Sequence, residues 1–155
     1  MDNKKRIAVI GLKGLPAIGG AAAVGENIIN QLKDKYEFIV YSISSHTHLH
    51  SGVYKGYKQI VFNQLFPGWL NTIYYYLIST IHCLFQNYDG VHIHHSMSGI
   101  FILLLKLKYP IIYTSHNTET INHYRYVHFF FSFSEKLSLY LATAVTAFAK
   151  SMDAI

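Results

Sequence analysis

The feature that most constrains this chain is the regular return of short apolar runs that have no polar face. They are Ile7–Ile10, 37–43 (EFIVYSI), 58–62 (KQIVF), 90–94 (GVHIH), 111–115 (IIYTS) and 144–148 (AVTAF). A strand half-exposed to water alternates apolar and polar residues; a run apolar on both faces belongs in a buried, parallel sheet. Between the runs lie longer stretches with helical spacing. Val24, Ile28, Ile29 and Leu32 fall on one side of a helix that should follow residue 20, with Glu26 in its first turns, where a negative charge suits the helix dipole. Pro67 and Gly68 introduce a long helix over about 69–87, and Ser98 stands where it can cap a helix with the body IFILLLKL. A last helix covers about 126–142, after a polar loop at 117–124. Residues 44–56 read as a polar loop. Strands alternating with helices predict an α/β doubly wound fold, a parallel sheet covered by helices.

Composition narrows the function classes. Hydrophobic residues make up 51% of the 155 residues and charged residues 14%, against a usual ~25%. That excludes disorder, which needs few apolar residues and much charge. The net charge is +5, but the lysines come in separate pairs (Lys4–Lys5, Lys33 and Lys35, Lys55 and Lys58, Lys106 and Lys108). A nucleic-acid binder concentrates its basic residues in a stripe, so no nucleic-acid partner is expected. A solvated rim, attraction to anionic lipid and attraction to a phosphorylated substrate all remain open. The single cysteine, Cys83, allows no internal disulfide and reads as a small buried hydrophobe in a reducing, cytoplasmic setting. The opening MDNKKRIAVIG is too short in apolar residues for a signal peptide, and no run of about 18 uninterrupted apolar residues predicts a membrane span. Aromatic residues reach 15%, a surplus that a partner domain or the inner face of the membrane would cover.

In a parallel sheet ligands bind beyond the carboxyl ends of the strands, so the chemistry is sought after Ile10, Ile93 and Ser115. Gly11, Gly14, Gly19 and Gly20 follow the first strand. Glycines let a backbone approach a phosphate, and the helix behind them offers free N–H groups. The loop is neither a Walker loop nor a G-x-G-x-x-G fingerprint, and a tight strand-to-helix turn explains it equally. His92 and His94 share one face of their strand, with His95 on the other. No cysteine or convincing carboxylate completes a metal site there, so no metal is expected; His92 reads as a buried, satisfied histidine and His94 as the better ligand contact. The segment TSHNTE places His116 just past the fifth strand, beside Asn117 and Glu119, a set suited to gripping sugar hydroxyls or phosphate. His46, His48 and His50 read as a solvated loop, and Tyr74, Tyr75 and Tyr76 as packing residues. No G-x-S-x-G elbow supports a serine triad.

The order of these motifs is more specific than any one of them. The runs RIAVIGLKGLPAIGG, INQLKDKYEFIVYS, YDGVHIHH, PIIYTSHNTE and SEKLSLYLATAVTAFAKSM, over about 6–152, resemble the N-terminal domain of family-4 glycosyltransferases. These are retaining enzymes in which two Rossmann-like domains face a cleft, the GT-B architecture. The resemblance implies that Gly19 and Gly20 lie by the donor diphosphate and the acceptor. It matches His92 and His94 to an H-x-H motif, and Thr114 and His116 to a T-x-H motif near the transferred sugar. The closing A-x-S-K pattern meets Ala147 and Lys150, with Ala149 where serine is usual. Ala22 stands where the family often has an acidic residue, and the second domain with its E-x7-E glutamates has no counterpart. The expectations are therefore one domain over 1–155, the acceptor-side half, without a C-terminal nucleotide-sugar domain. His116 is the catalytic candidate, and Gly19, Gly20, His94, Asn117 and Glu119 the substrate-binding ones. The donor is a nucleotide-diphosphate sugar, the acceptor a glycan or lipid-linked sugar, and no cofactor is needed. A second chain would complete the cleft, and the protein alone would be weakly active or inactive. Two other readings stay open: a non-catalytic α/β binding or interaction module, and another nucleotide-using α/β enzyme.

Overall fold

A computed structural model describes residues 4–116 and 125–147. Its elements, in chain order, are β1 (Lys5–Ile10), α1 (Gly20–Leu32), β2 (Tyr36–Ile43), β3 (Gly52–Tyr54), β4 (Tyr57–Phe62), α2 (Gly68–Leu84), β5 (Gly90–Ile93), α3 (Gly99–Lys106), β6 (Ile111–Ser115), α4 (Arg125–Leu141) and β7 (Ala144–Ala147). Short 3₁₀ turns at Ser44–His46 and Ser96–Ser98 lead out of β2 and into α3. The strands form one sheet in the order β3-β4-β2-β1-β5-β6-β7. All neighbours are parallel except β3 and β4.

The six predicted strands are all present; the central ones, β2 and β5 above all, bury residues on both faces as their composition requires, while Ala144, Val145 and Thr146 of the edge strand β7 are exposed. Ala8, Ile10, Tyr41, Ile43, Val91 and Ile93 pack under α2 and α3. Val9, Phe38 and Val40 pack on the opposite side, against Ile29 of α1 and Leu12 and Leu15 of the loop after β1. From β1 the chain moves outward through β2 to β4, then returns to place β5, β6 and β7 on the other side. Right-handed crossovers in opposite directions put their helices on opposite faces. The connections leaving β1 and β5 thus diverge, and a crevice opens between them at the carboxyl ends.

Three local expectations are corrected. The 44–56 loop contains β3, which pairs with β4 through a two-residue turn at Lys55 (φ 46°) and Gly56 (φ 91°). Both residues are left-handed, which gives a turn whose twist matches a hairpin. Glu26 lies past the first turn of α1, which has no acidic residue. Its carboxylate accepts the Ala17 N–H at 2.9 Å instead, so it pins the preceding loop. Ser98 does precede α3, but its hydroxyl makes no cap and donates back to the His95 carbonyl.

Candidate functional site

The loop after β1 is fixed at almost every residue. Gly11 adopts φ +111°, and an added Cβ would come within 3.1 Å of the backbone nitrogens of His94 and His95. Only glycine allows this close meeting of the β1 and β5 ends. The Gly11 N–H donates to the Tyr75 hydroxyl at 2.8 Å, and that hydroxyl donates to the Tyr41 carbonyl at 3.0 Å. Lys13, also left-handed at φ 63°, accepts the Ile43 N–H at 2.8 Å. A Cβ on Gly14 would collide with the His46 carbonyl. Leu15 donates its N–H to Gln59 Oε1 at 3.2 Å and accepts the Thr47 hydroxyl at 2.7 Å; both partners are buried. Buried polar groups that are mutually satisfied hold one geometry, because any other leaves a group unpaired in low dielectric.

This rigid loop forms one side of an open cleft of about 330 Å³. Lys13, Gly19, Gly20 and Ala22 line it, with His46 from the end of β2 and His95 from the end of β5. The N-terminus of α1 faces this space. The first intrahelical bond runs from the Ala23 N–H to the Gly19 carbonyl, and Gly19 has no side chain to cap the helix. The N–H groups of the first turn therefore have no intrahelical acceptor and carry the positive end of the helix dipole. Nothing lies within 4 Å of a Cβ built on Gly19 or Gly20, and Gly19 is in extended conformation. No steric contact within the fold requires a glycine at either position. Lys13 donates its Nζ to the Thr72 hydroxyl at 3.2 Å, and burial lowers its pKa. Burial and then the Lys13 charge lower His46, and burial followed by Lys13 and His116 pushes His95 down to about 4. The cleft thus combines open amide donors, one ammonium and two neutral imidazoles at pH 7, a set suited to an anionic, hydroxylated ligand.

Beside the cleft a column of histidines runs along the sheet. The His92 and His94 rings lie 4.0 Å apart, on one strand face as their spacing predicts. His92 Nε2 shares a hydrogen bond of 2.7 Å with the Thr114 hydroxyl, which meets Thr146 at 2.6 Å. His94 Nδ1 meets His116 Nε2 at 3.2 Å, with the two rings 24° from parallel. Ser115 donates to the Glu135 carboxylate at 2.7 Å. Burial pushes His92 down to about 4 and His94 well below its usual value, and burial lowers the half-buried His116.

Gly19 and Gly20 line the cleft. His94, expected as a ligand contact, is 1% exposed and turns to His116, while its neighbour His95 takes the place in the lining. Asn117, Glu119, Ala149 and Lys150 lie outside the described residues. The sequence reading missed Lys13, His46 and His95. No spacing rule joins them; the link is made by the Lys13–Ile43 and Gly14–His46 contacts, which exist only once β1 and β2 are paired.

The family description Glycosyltransferase Family 4 matches residues 18–155. The chain belongs to glycosyltransferase family 4. Among solved structures, this family-4 chain is similar to Anabaena HepE, whose crystal structure was determined in complex with UDP and glucose. The TM-score is 0.56 and the sequence identity 14%. The match covers 92% of the family-4 chain and 38% of HepE, so the chain spans well under half of that protein's length. At that identity the likeness concerns the fold, the Rossmann-like arrangement of the N-terminal half of a GT-B enzyme. No curated protein sequence matches the chain significantly.

Proposed function

We propose that the cleft at the α1 N-terminus holds the diphosphate of a nucleotide-sugar donor, and that the chain is the acceptor-side half of a retaining glycosyltransferase. The single observation that carries this is the pair Gly19–Gly20: two glycines in open space at an uncapped helix start, ringed by Lys13, His46 and His95. In the transfer, the bond from the anomeric carbon to the diphosphate oxygen breaks and a bond to the acceptor hydroxyl oxygen forms, the hydroxyl proton passing to the departing diphosphate. Charge develops on the leaving diphosphate, and fixed N–H donors stabilise it without reorganising. The pinned loop supplies that rigidity. His116 contacts the transferred sugar, and His94 holds its ring from behind. Asn117 and Glu119 are the further sugar-binding candidates. The acceptor is a glycan or a lipid-linked sugar at the cytoplasmic face of a membrane, and no cofactor takes part.

A one-walled cleft stays wet, and closure of two domains is what excludes water in such chemistry. A second domain or chain is therefore required, carrying the nucleotide contacts. Calorimetric titration of the chain with inorganic pyrophosphate tests the reading. Saturable binding that Lys13→Met weakens is the expected result; absence of saturable binding contradicts it. Turnover of a nucleotide sugar by the chain alone at an ordinary enzyme rate (about 1–10³ per second) would contradict the need for a second wall.

A further inference from the structure

Helix α2 is amphipathic in the wrong sense for a helix surrounded by water. Asn71, Ser79 and Thr80 are buried on its inner face with Tyr75, Tyr76 and Cys83. Its outer face exposes Trp69 by 69%, and Leu70, Ile73, Leu77 and Ile81 by between 39% and 44%. Residues 69, 73, 77 and 81 recur every fourth position and form one ridge. Leu65 and Phe66 extend it ahead of the helix, and Ile100, Leu103, Leu104 and Leu107 continue it on α3. The two helices are joined beneath this surface by the stacked rings of Tyr76 and Phe101, 6.0 Å apart. Single exposed apolar residues are ordinary, but a contiguous apolar layer over two helices marks an interaction surface.

Charge and chemistry identify the partner. From Leu65 to Lys108 the one acidic residue is Asp89, just before the central strand β5 at the amino end of the sheet, where it accepts the Arg6 N–H. The basic residues there are Lys106 and Lys108, both at the end of α3, with Lys108 donating to the Leu84 and Gln86 carbonyls. A protein interface carries about one hydrogen bond per 100–200 Å². Between 69 and 81 the exposed side chains offer only the Trp69 indole N–H. Among the described residues no helix is long and apolar enough to cross a membrane. We propose that the outer face of α2 and α3 lies on an anionic lipid surface, with the apolar side chains inserted and Lys106 among the headgroups.

The ridge begins at the cleft. In the first turn of α2, Asn71 donates to the Ser45 hydroxyl at 3.1 Å and Thr72 accepts from Lys13 at 3.2 Å. Ser45 in turn meets His46 Nδ1 at 2.9 Å. A lipid surface against α2 therefore brings its headgroups beside the cleft wall, within reach of a lipid-linked acceptor. That orientation rests on the reading of the cleft given above; lipid binding itself does not.

Trp69 is the one tryptophan of the chain, so it reports directly on the ridge. The experiment mixes the full chain with vesicles of phosphatidylglycerol and phosphatidylcholine, or of phosphatidylcholine alone. It reads flotation together with Trp69 emission. The expected result is co-flotation with the anionic vesicles, a blue shift of the emission and quenching by brominated lipid, all weakened by salt. Lys106→Gln lowers the partition coefficient roughly fivefold. Leu77→Ser and Leu103→Ser each lower it roughly fivefold or more, and circular dichroism melts unchanged by these surface substitutions show that the loss is not unfolding. No flotation at low salt overturns the proposal, as does unaltered binding by the two serine variants. Self-association that shields Trp69 without lipid also overturns it and assigns the ridge to a second copy of the chain. Vesicle binding without pyrophosphate binding would sink the cleft reading alone, and the reverse outcome would sink the ridge alone.

Discussion

Acidification from pH 6.5 to 4.5 should strongly destabilise this protein through its buried histidines, by an amount that follows from their surroundings. Burial is the first cause at each site, and it holds His92 and His95 at about 4, against 6.5 in an unfolded chain. At pH 7.5 these imidazoles are neutral in both states and contribute no pH dependence. As pH falls through 6.5 the unfolded chain takes up protons that the native sheet refuses. Stability therefore declines with falling pH until about pH 4. Each group costs about 1.4 kcal/mol per pH unit, so the pair costs on the order of 5 kcal/mol over two units. His94 and the half-buried His116 shift in the same direction and add to the loss. A domain holds about 5–15 kcal/mol in total, so this effect alone brings the protein close to unfolding. Urea melts at pH 7.5, 6.5, 5.5 and 4.5, extrapolated linearly to water, measure it. A His92→Gln variant, which keeps a hydrogen-bonding side chain beside Thr114, should show a shallower slope. A stability independent of pH over this range, or an unchanged slope in the variant, would refute the reasoning.

Other substitutions separate structure from ligand binding. Gly20→Ala should leave stability unchanged or slightly raise it, because it is the first residue of α1 and its Cβ meets nothing; pyrophosphate affinity measured by calorimetry should fall. Gly14→Ala should do the opposite, costing about 1–3 kcal/mol in urea melts as the new methyl displaces the His46 carbonyl. Tyr75→Phe strands the Gly11 N–H, which now bonds the phenol at 2.8 Å. It should cost about 1–3 kcal/mol, and faster hydrogen exchange at Gly11 would locate the loss.

The framework was legible because burial on both strand faces leaves a pattern that does not depend on tertiary detail. All six predicted strands and the four helices lie close to their expected places, and the facing of His92 and His94 follows from strand geometry alone. Strand β3 escaped because three residues are too few to show a period; the Lys-Gly pair that turns it was the available signal. The cleft was half legible. Gly19 and Gly20 stood out as a local motif, but Lys13, His46 and His95 converge only through long-range pairing of β1, β2 and β5. Glu26 fitted a dipole argument and serves a different acceptor role, since the loop folds back to bring the Ala17 N–H to its carboxylate. The inverted face of α2 could not be read at all from hydrophobic spacing, because polar Ser79 and Thr80 and apolar Leu77 and Ile81 all fit a helix, and only the packed structure says which side faces the sheet.

The proposed function stands on diphosphate binding by the open amides at the start of α1. Amide proton–nitrogen correlation spectra of the labelled chain, titrated with UDP and separately with inorganic pyrophosphate, test it most directly. The expected result is saturable shifts that are largest at Gly19, Gly20, Ala21 and Ala22, common to both ligands, and lost in Lys13→Met. Shifts that leave these four amides unmoved while saturating elsewhere on the protein would contradict it.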